Sequence, residues 1–236
     1  MDNPTLPPET EDLTDDTITH TDAITLDSVP SDIPAEEKPR LNWVGILREI
    51  VETLLLTALI FFAVNAVTAR FKIDGASMSN TFTDGQYIIV SRIHYLISAP
   101  QRGDVVVFVP PGSPENTLWE RLLGLPGETD YIKRVVGVPG DRVEIREGQV
   151  FINDVLLTEP YIREPMLFTA PQVWELGPDQ YFVMGDNRNA SQDSRTPRIG
   201  PISSDRIVGK VLMVYFPFSD LGWVNHYRHP ELQASP

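Results

Sequence analysis

Two short stretches hold residue types from which a nucleophile and its base could be assembled: Gly75-Ala76-Ser77-Met78 and Tyr131-Ile132-Lys133-Arg134-Val135. Ser77 offers a hydroxyl, and Lys133 an amine between apolar neighbours. A serine hydroxyl is a poor nucleophile until a base takes its proton. Lysine can be that base only when neutral, and its unperturbed pKa of about 10.4 keeps it charged at neutral pH. Burial among apolar groups disfavours the ammonium, and a catalytic lysine is expected near roughly 7 to 8. In a strand, Tyr131, Lys133 and Val135 share one face and Ile132, Arg134 and Val136 the other, which turns Lys133 inward and Arg134 outward. A strand lysine is otherwise an ordinary solvated side chain.

Other catalytic sets lack parts. The chain has no cysteine, which removes thiolate nucleophiles, disulfides and cysteine-ligated zinc together. Its four histidines are His20, His94, His226 and His229. The last two lie in a polar C-terminal segment expected to fray, a poor place for the base of a Ser-His-Asp triad. No H-E-x-x-H, G-x-S-x-G or phosphate-loop sequence occurs. Asp186 and Asp193 flank a segment without calcium-loop spacing, and Arg188 stands where a cation would be repelled. Neither metal nor cofactor is expected. A serine activated by a lysine remains.

The elements that would position this pair are legible from composition and patterning. At 236 residues and 42% hydrophobic, the chain can bury one substantial core and still carry a tail and an anchor. Net charge is -14, but residues 1–37 hold eleven acids and no Lys or Arg, leaving 22 acids against 19 bases elsewhere. Nucleic-acid binding therefore has no basis, since neutralising phosphates requires clustered cations. Residues 1–40 carry too little apolar surface to offset chain entropy and are expected to be a disordered acidic tail.

Residues 53–69 run seventeen positions without a charge, preceded by Ile46, Leu47, Ile50 and Val51, and we read 41–70 as one membrane anchor helix. Arg48 and Glu52, four apart, are spaced to pair at the membrane edge. Lys38, Arg40 and Arg48 on the amino side favour a cytoplasmic tail, with the domain at 71–236 outside. A buried core helix would show a polar face that this run lacks, and a cleavable signal peptide would not follow so long an acidic segment. After residue 70 the pattern changes to short alternating or β-branched runs separated by Gly, Pro, Asn and Asp. Strands are predicted at 86–91, 105–109, 131–136, 142–145, 149–152, 180–184 and 210–216, with hairpin turns at Glu147-Gly148 and Asn153-Asp154. One short helix is predicted at 113–125, capped by Ser113 with Pro114 at its first position. The fold class is mainly β, an antiparallel coiled barrel or stacked sheets.

Four blocks, in order, resemble the bacterial type I signal peptidases. They are Ile73-Asp74-Gly75-Ala76-Ser77-Met78 with Thr81; Arg102-Gly103-Asp104-Val105-Val106-Val107-Phe108; Tyr131-Ile132-Lys133-Arg134-Val135-Val136-Gly137 with Pro139-Gly140-Asp141; and Gly185-Asp186-Asn187-Arg188 through Asp193-Ser194-Arg195. With the anchor they cover most of 46–216. The resemblance implies a β fold of the signal-peptidase and LexA-like type and a membrane-bound endopeptidase that removes signal peptides from exported preproteins. It implies Ser77 as nucleophile, Lys133 as general base, Ser191 as a hydroxyl orienting the lysine amine, and Asp193 and Arg195 as a pair holding the last block in shape. The Ser77 N–H would meet the oxyanion.

Signal peptides end in small residues at the first and third positions before the cut. By the same resemblance Met78, Phe82, Tyr131 and Lys133 border the first pocket, and Phe71, Ile73 and Ile132 the second. The implied partners are preprotein signal peptides and membrane lipid; the implied host is the inner (plasma) membrane or, for a cyanobacterial-type member, the thylakoid membrane. The chain departs from the family at Gly75, where many relatives carry a hydroxyl; at Asn80 and Phe82, in place of proline and leucine; and at Asn189-Ala190, in place of Asp-Asn. Two other readings stay open. One is a catalytically silent, membrane-tethered β domain that binds exported chains or a membrane complex. The other is a self-cleaving serine–lysine protease like the LexA-type repressors, whose DNA-binding domain an anchor here replaces.

Overall fold

The structure is a computed structural model that describes residues 42–114, 130–167 and 170–232. The expected acidic tail, Lys38, Arg40 and most of the expected helix at 113–125 lie outside the described residues.

Helix α1 spans Trp43–Val67, 25 residues that the rest of the chain leaves almost wholly exposed. At 1.5 Å per residue it is about 37 Å long, enough for a hydrocarbon layer of about 30 Å. Its polar side chains are satisfied locally. The Thr53 and Thr57 hydroxyls donate to the carbonyls of Glu49 and Thr53 at 2.8 Å, and Arg48 Nε meets Glu52 at 2.6 Å, the pairing their spacing predicts. The helix starts ten residues before the uncharged run and stops at Val67. Thr68 and Ala69, read above as the end of the anchor, instead open strand β1 (Thr68–Lys72), paired with Ser91 and Val90 of β2 (Tyr87–Ser91).

A four-residue helix, α2 (His94–Ile97), precedes β3 (Val105–Phe108) and β4 (Tyr131–Gly137). Then come β5 (Arg142–Arg146), β6 (Gln149–Ile152), β7 (Val155–Leu156), β8 (Gln172–Glu175), β9 (Gln180–Met184), β10 (Ile202–Ser203), β11 (Ile207–Phe216) and β12 (Gly222–Trp223). The larger sheet runs β1-β2-β11-β3-β4-β9-β10, with β12 on β11; the smaller runs β7-β6-β5-β8, and every pairing is antiparallel. Register shifts in β11 against both neighbours, and between β4 and β9, add local twist and curl the larger sheet into a half-barrel.

The predicted turns form as their residues require. Glu147 and Gly148 (φ 53 and 72°) and Asn153 and Asp154 (φ 50 and 66°) are paired left-handed positions that reverse the chain in two residues. The sheets converge at Gly137, where an added Cβ would fall 2.7 Å from Val143 and 2.8 Å from Leu176. One apolar cluster, including Phe71, Ile73, Met78, Phe82, Ile88 and Val105, underlies the start of the larger sheet; a second fills the smaller sheet; a third joins Phe108, Val135 and Val183.

The C-terminal segment expected to fray is held in place over its described residues, 226–232. His229 is buried, its ring lies edge-on to Tyr161 and Tyr227, and Arg228 pairs with Asp104 at 3.0 Å. Polar composition misled because the Tyr161 ring and the buried Asp104 carboxylate hold the segment, and both are distant in sequence. His226 Nδ1 accepts from Val105 N at 3.1 Å, and burial drives its pKa down to about 4. A ring so engaged is no base for Ser77.

Candidate active site

Gly75, at φ +95°, lets the chain leave β1 in a direction closed to other residues, and Asp84 Oδ1 accepts its N–H at 2.9 Å. A tight turn follows. Ser79 N donates to Ala76 O at 3.1 Å, Thr81 N and Phe82 N both donate to Met78 O at 2.8 Å, and the buried Met78 and Phe82 nail the turn to the core. Ser77 is left half-buried with its hydroxyl toward β4.

Lys133 stands opposite Val106 in the centre of the half-barrel and is 4% exposed. Its Nζ lies 2.8 Å from Ser77 Oγ and 2.9 Å from Ile132 O. Burial pulls its pKa down to about 8, against the opposing pull of the Asp193 and Asp186 carboxylates. As an ammonium it donates to Oγ; once neutral, it offers the lone pair to which Oγ–H donates.

Arg134 does not point to solvent as strand alternation predicts. It is 1% exposed, with Nε and Nη2 on Asp186 at 2.9 and 2.8 Å, Nη1 on Gly103 O and Asn225 O at 2.9 and 3.1 Å, and its guanidinium 4.2 Å from the Tyr161 ring centre. Alternation assigns a face but not its cover, and here residues 103, 161 and 225 cover the second face.

Asp186 therefore joins both halves of the site. It holds Arg134, next to the lysine, and accepts from the Thr81 hydroxyl, four residues past the serine. The following residue continues the connection: Asn187 N donates to Ser77 O at 3.0 Å, and its side-chain amide donates to Ala76 O at 3.1 Å and Ser79 Oγ at 3.0 Å. Contact is close enough at Gly185 that a Cβ would sit 2.3 Å from Ser191 Oγ and 2.5 Å from Ser77 O.

Asp193 and Arg195 form a two-point ion pair, Nε to Oδ1 and Nη2 to Oδ2, both 2.8 Å, and Gly185 N donates to Asp193 at 3.0 Å. Burial would raise the Asp193 carboxyl, but Arg195, the Gly185 N–H and the nearby Ser191 hydroxyl keep it below the usual range. Ser191 Oγ is buried beside Gly185 without a well-formed hydrogen bond, and its influence on Asp193 reflects proximity. Among the described contacts of Lys133 Nζ, Ser191 is not included.

A groove of about 460 Å³ opens at the pair, walled by Ile73, Met78, Tyr131 and Ile132 and edged by Ala190 and Gln192. Of the residues expected at its pockets, Phe71 and Phe82 are packed into the underlying core and do not line it. Sequence reasoning assigns no role to Asn187 or Asp186: both stand in the fourth block, where Asp186 is rejected as a cation ligand for lack of calcium-loop spacing.

A β domain follows one apolar helix long enough to serve as a single-pass membrane anchor, and within that domain a serine hydroxyl lies 2.8 Å from a buried lysine amine. Comparison with known proteins supplies the family. The family model for signal peptidase, peptidase S26, matches residues 46–216. Among curated relatives, the probable signal peptidase I-2 of Synechocystis is 31% identical over 192 residues, covering 79% of each chain; signal peptidase I U of Bacillus subtilis is 30% identical over 181 residues, covering 73% of this chain and 89% of that one. A crystal structure of a signal peptidase I from Enterococcus faecalis is 27% identical and aligns over 48% of this chain and 97% of its own, at a TM-score of 0.36. The chain belongs to the signal peptidase I family of S26 serine peptidases.

Proposed function

We propose that the protein is a membrane-anchored endopeptidase that cuts signal peptides from exported preproteins after a small-x-small site, with Ser77 as nucleophile and Lys133 as general base. The observation that carries this reading is the 2.8 Å approach of a buried lysine, with its pKa near 8, to Ser77 Oγ. Lys133 takes the Oγ proton as Oγ bonds to the scissile carbonyl carbon. The Ser77 N–H, which makes no backbone hydrogen bond among the described residues, is the donor for the oxyanion. The lysine then gives its proton to the departing amine as the C–N bond breaks, leaving an acyl-enzyme. Water, deprotonated by the same amine, attacks that ester and restores Ser77.

By the family resemblance, Ser191 supplies the hydroxyl that orients the amine, and the Asp193–Arg195 pair holds the backbone that carries it. Ile73, Met78, Tyr131 and Ile132 leave shallow apolar space, suited to alanine-sized side chains. The anchor places the tail in the cytoplasm and residues 71–236 on the far side of the plasma or thylakoid membrane. The test is cleavage of a preprotein with an Ala-x-Ala site by wild type, Ser77→Ala and Lys133→Ala in detergent micelles. Loss of cleavage in both variants is expected; unchanged cleavage in either removes that residue from the reaction.

A further inference from the structure

Resting on that reading, we infer that Asn80 is the positioning residue that holds the Ser77 turn in register with Lys133. Its side-chain amide donates to Asp186 O at 2.8 Å. That bond crosses between segments 106 residues apart and ends on the residue whose carboxylate grips Arg134, the neighbour of Lys133 in β4. The path from nucleophile to base is therefore short: Ser77 through the turn to Asn80, Asn80 to Asp186, Asp186 to Arg134, Arg134 to Lys133.

Two alternatives for fixing this turn are weaker. Backbone bonds from Thr81 and Phe82 to Met78 O close it upon itself but do not tie it to β4. Asn187 ties Ala76, Ser77 and Ser79 to the loop after β9, on the side of the turn that precedes Asn80. Phe82 packs the later half of the turn into the core but makes no bond to Asp186; without Asn80, the described hydrogen bond from that half to Asp186 would be the one from the Thr81 hydroxyl, a group that can rotate away. Asn80 N donates to no backbone carbonyl among the described residues, so the position requires a side-chain donor or a stiff backbone, not its N–H. Asparagine supplies the first. Proline would supply the second by fixing φ, without breaking a backbone bond.

The prediction concerns placement, so it appears in turnover before affinity. A reacting atom displaced by a fraction of an ångström loses rate, and roughly tenfold in kcat is expected for Asn80→Ala, with KM changed less than about twofold. Asn80→Asp, which cannot donate and faces the Asp186 carbonyl with a carboxylate, should lose more. Asn80→Pro should keep turnover within about threefold of wild type. The acid limb of the pH profile, set by Lys133 burial, should stay near its wild-type position in all three.

The experiment measures kcat, KM and pH profile for the full-length protein and these variants on a peptide with an Ala-x-Ala site, alongside thermal midpoints. Wild-type turnover in Asn80→Ala, with Ser77-dependent cleavage intact, overturns the role of Asn80 alone. So does a loss in Asn80→Pro equal to that in Asn80→Ala, or a kcat loss that only follows a fall in the thermal midpoint. If Asn80→Ala fails to fold, Asn80→Pro decides: turnover supports the inference and its absence overturns it. Absence of Ser77-dependent cleavage in wild type overturns the proposed function, and this inference with it.

Discussion

An amine with a pKa near 8 is a minority base at pH 7, half neutral near pH 8 and a majority base above it. Cleavage should therefore rise with pH through about 8 and level off above it, as a profile of kcat/KM would show. The same shift has a stability consequence of definite sign. Between the folded value near 8 and the unfolded value near 10.5, the unfolded chain holds a proton that the folded chain has lost, so stability rises with pH across that window. Below pH 8 the penalty for burying the amine is fully present, on the order of 3 kcal/mol at about 1.36 kcal/mol per pKa unit. Lys133→Met should thus abolish cleavage while raising the thermal midpoint at pH 7, and the gain should shrink toward pH 10. A midpoint that falls at pH 7 would contradict it. The approach of Ser77 to Lys133 and the Asp193–Arg195 pair were legible in the sequence because residue type and recognisable blocks marked them. Asn80 was visible only as a departure, since nothing local in sequence shows that its amide reaches a carbonyl 106 residues on.

At the scale of elements, strand β4 carries the site on both faces, and only one of them was readable. The run 131–136 predicted the strand and the inward lysine, because β-branched alternation is a local property. The outward arginine failed because long-range covering by Asn225, Gly103 and Tyr161 leaves no trace in local periodicity. The same cause hid β8, β10 and β12, short strands defined by the partners they meet. The buried Arg134–Asp186 pair yields a test at this scale. Asp186→Asn leaves a guanidinium 1% exposed without its counter-charge, which should cost about 3 to 5 kcal/mol by thermal or denaturant unfolding, more than replacing both members with leucine. Gly185→Ala should act differently: its Cβ meets Ser77 O at 2.5 Å, a backbone atom that cannot swing aside. Displacing the nucleophile by about 1 Å costs on the order of 10²-fold in turnover, so peptide cleavage should drop far more than stability does.

For the whole molecule, the organisation follows from where apolar surface is left uncovered. Apart from its end at Asn65, α1 is left uncovered by the described residues, with Leu54, Leu55, Leu56 and Leu59 each more than half exposed, which is consistent with a single-pass membrane anchor. The seventeen-residue uncharged run made the anchor legible, while the helix end was misplaced because pairing of Thr68 with Ser91 outweighs continued apolar character. At that junction Asn65 is 1% exposed and receives Arg70 Nη2 at 3.0 Å, while Arg92 donates to its carbonyl at 3.2 Å. The helix thus ends in a polar clasp, which suits the boundary of a candidate membrane span. Orientation is set by cations near the span, counted most strongly on the short amino side, where Arg48 lies with Lys38 and Arg40; Arg70 and Lys72 open a long domain and count weakly. Externally added protease on intact cells or right-side-out vesicles should therefore digest the domain after residue 70 and spare a tag fused to the amino terminus. Replacing both Leu56 and Leu59 by arginine, each about 2.5 to 3.5 kcal/mol unfavourable at a helix centre, should release the protein on alkaline extraction of the membranes. Cleavage of the amino-terminal tag while the domain stays protected would reverse the assigned topology, and retention of the double-arginine protein would show that another surface holds the domain to the bilayer.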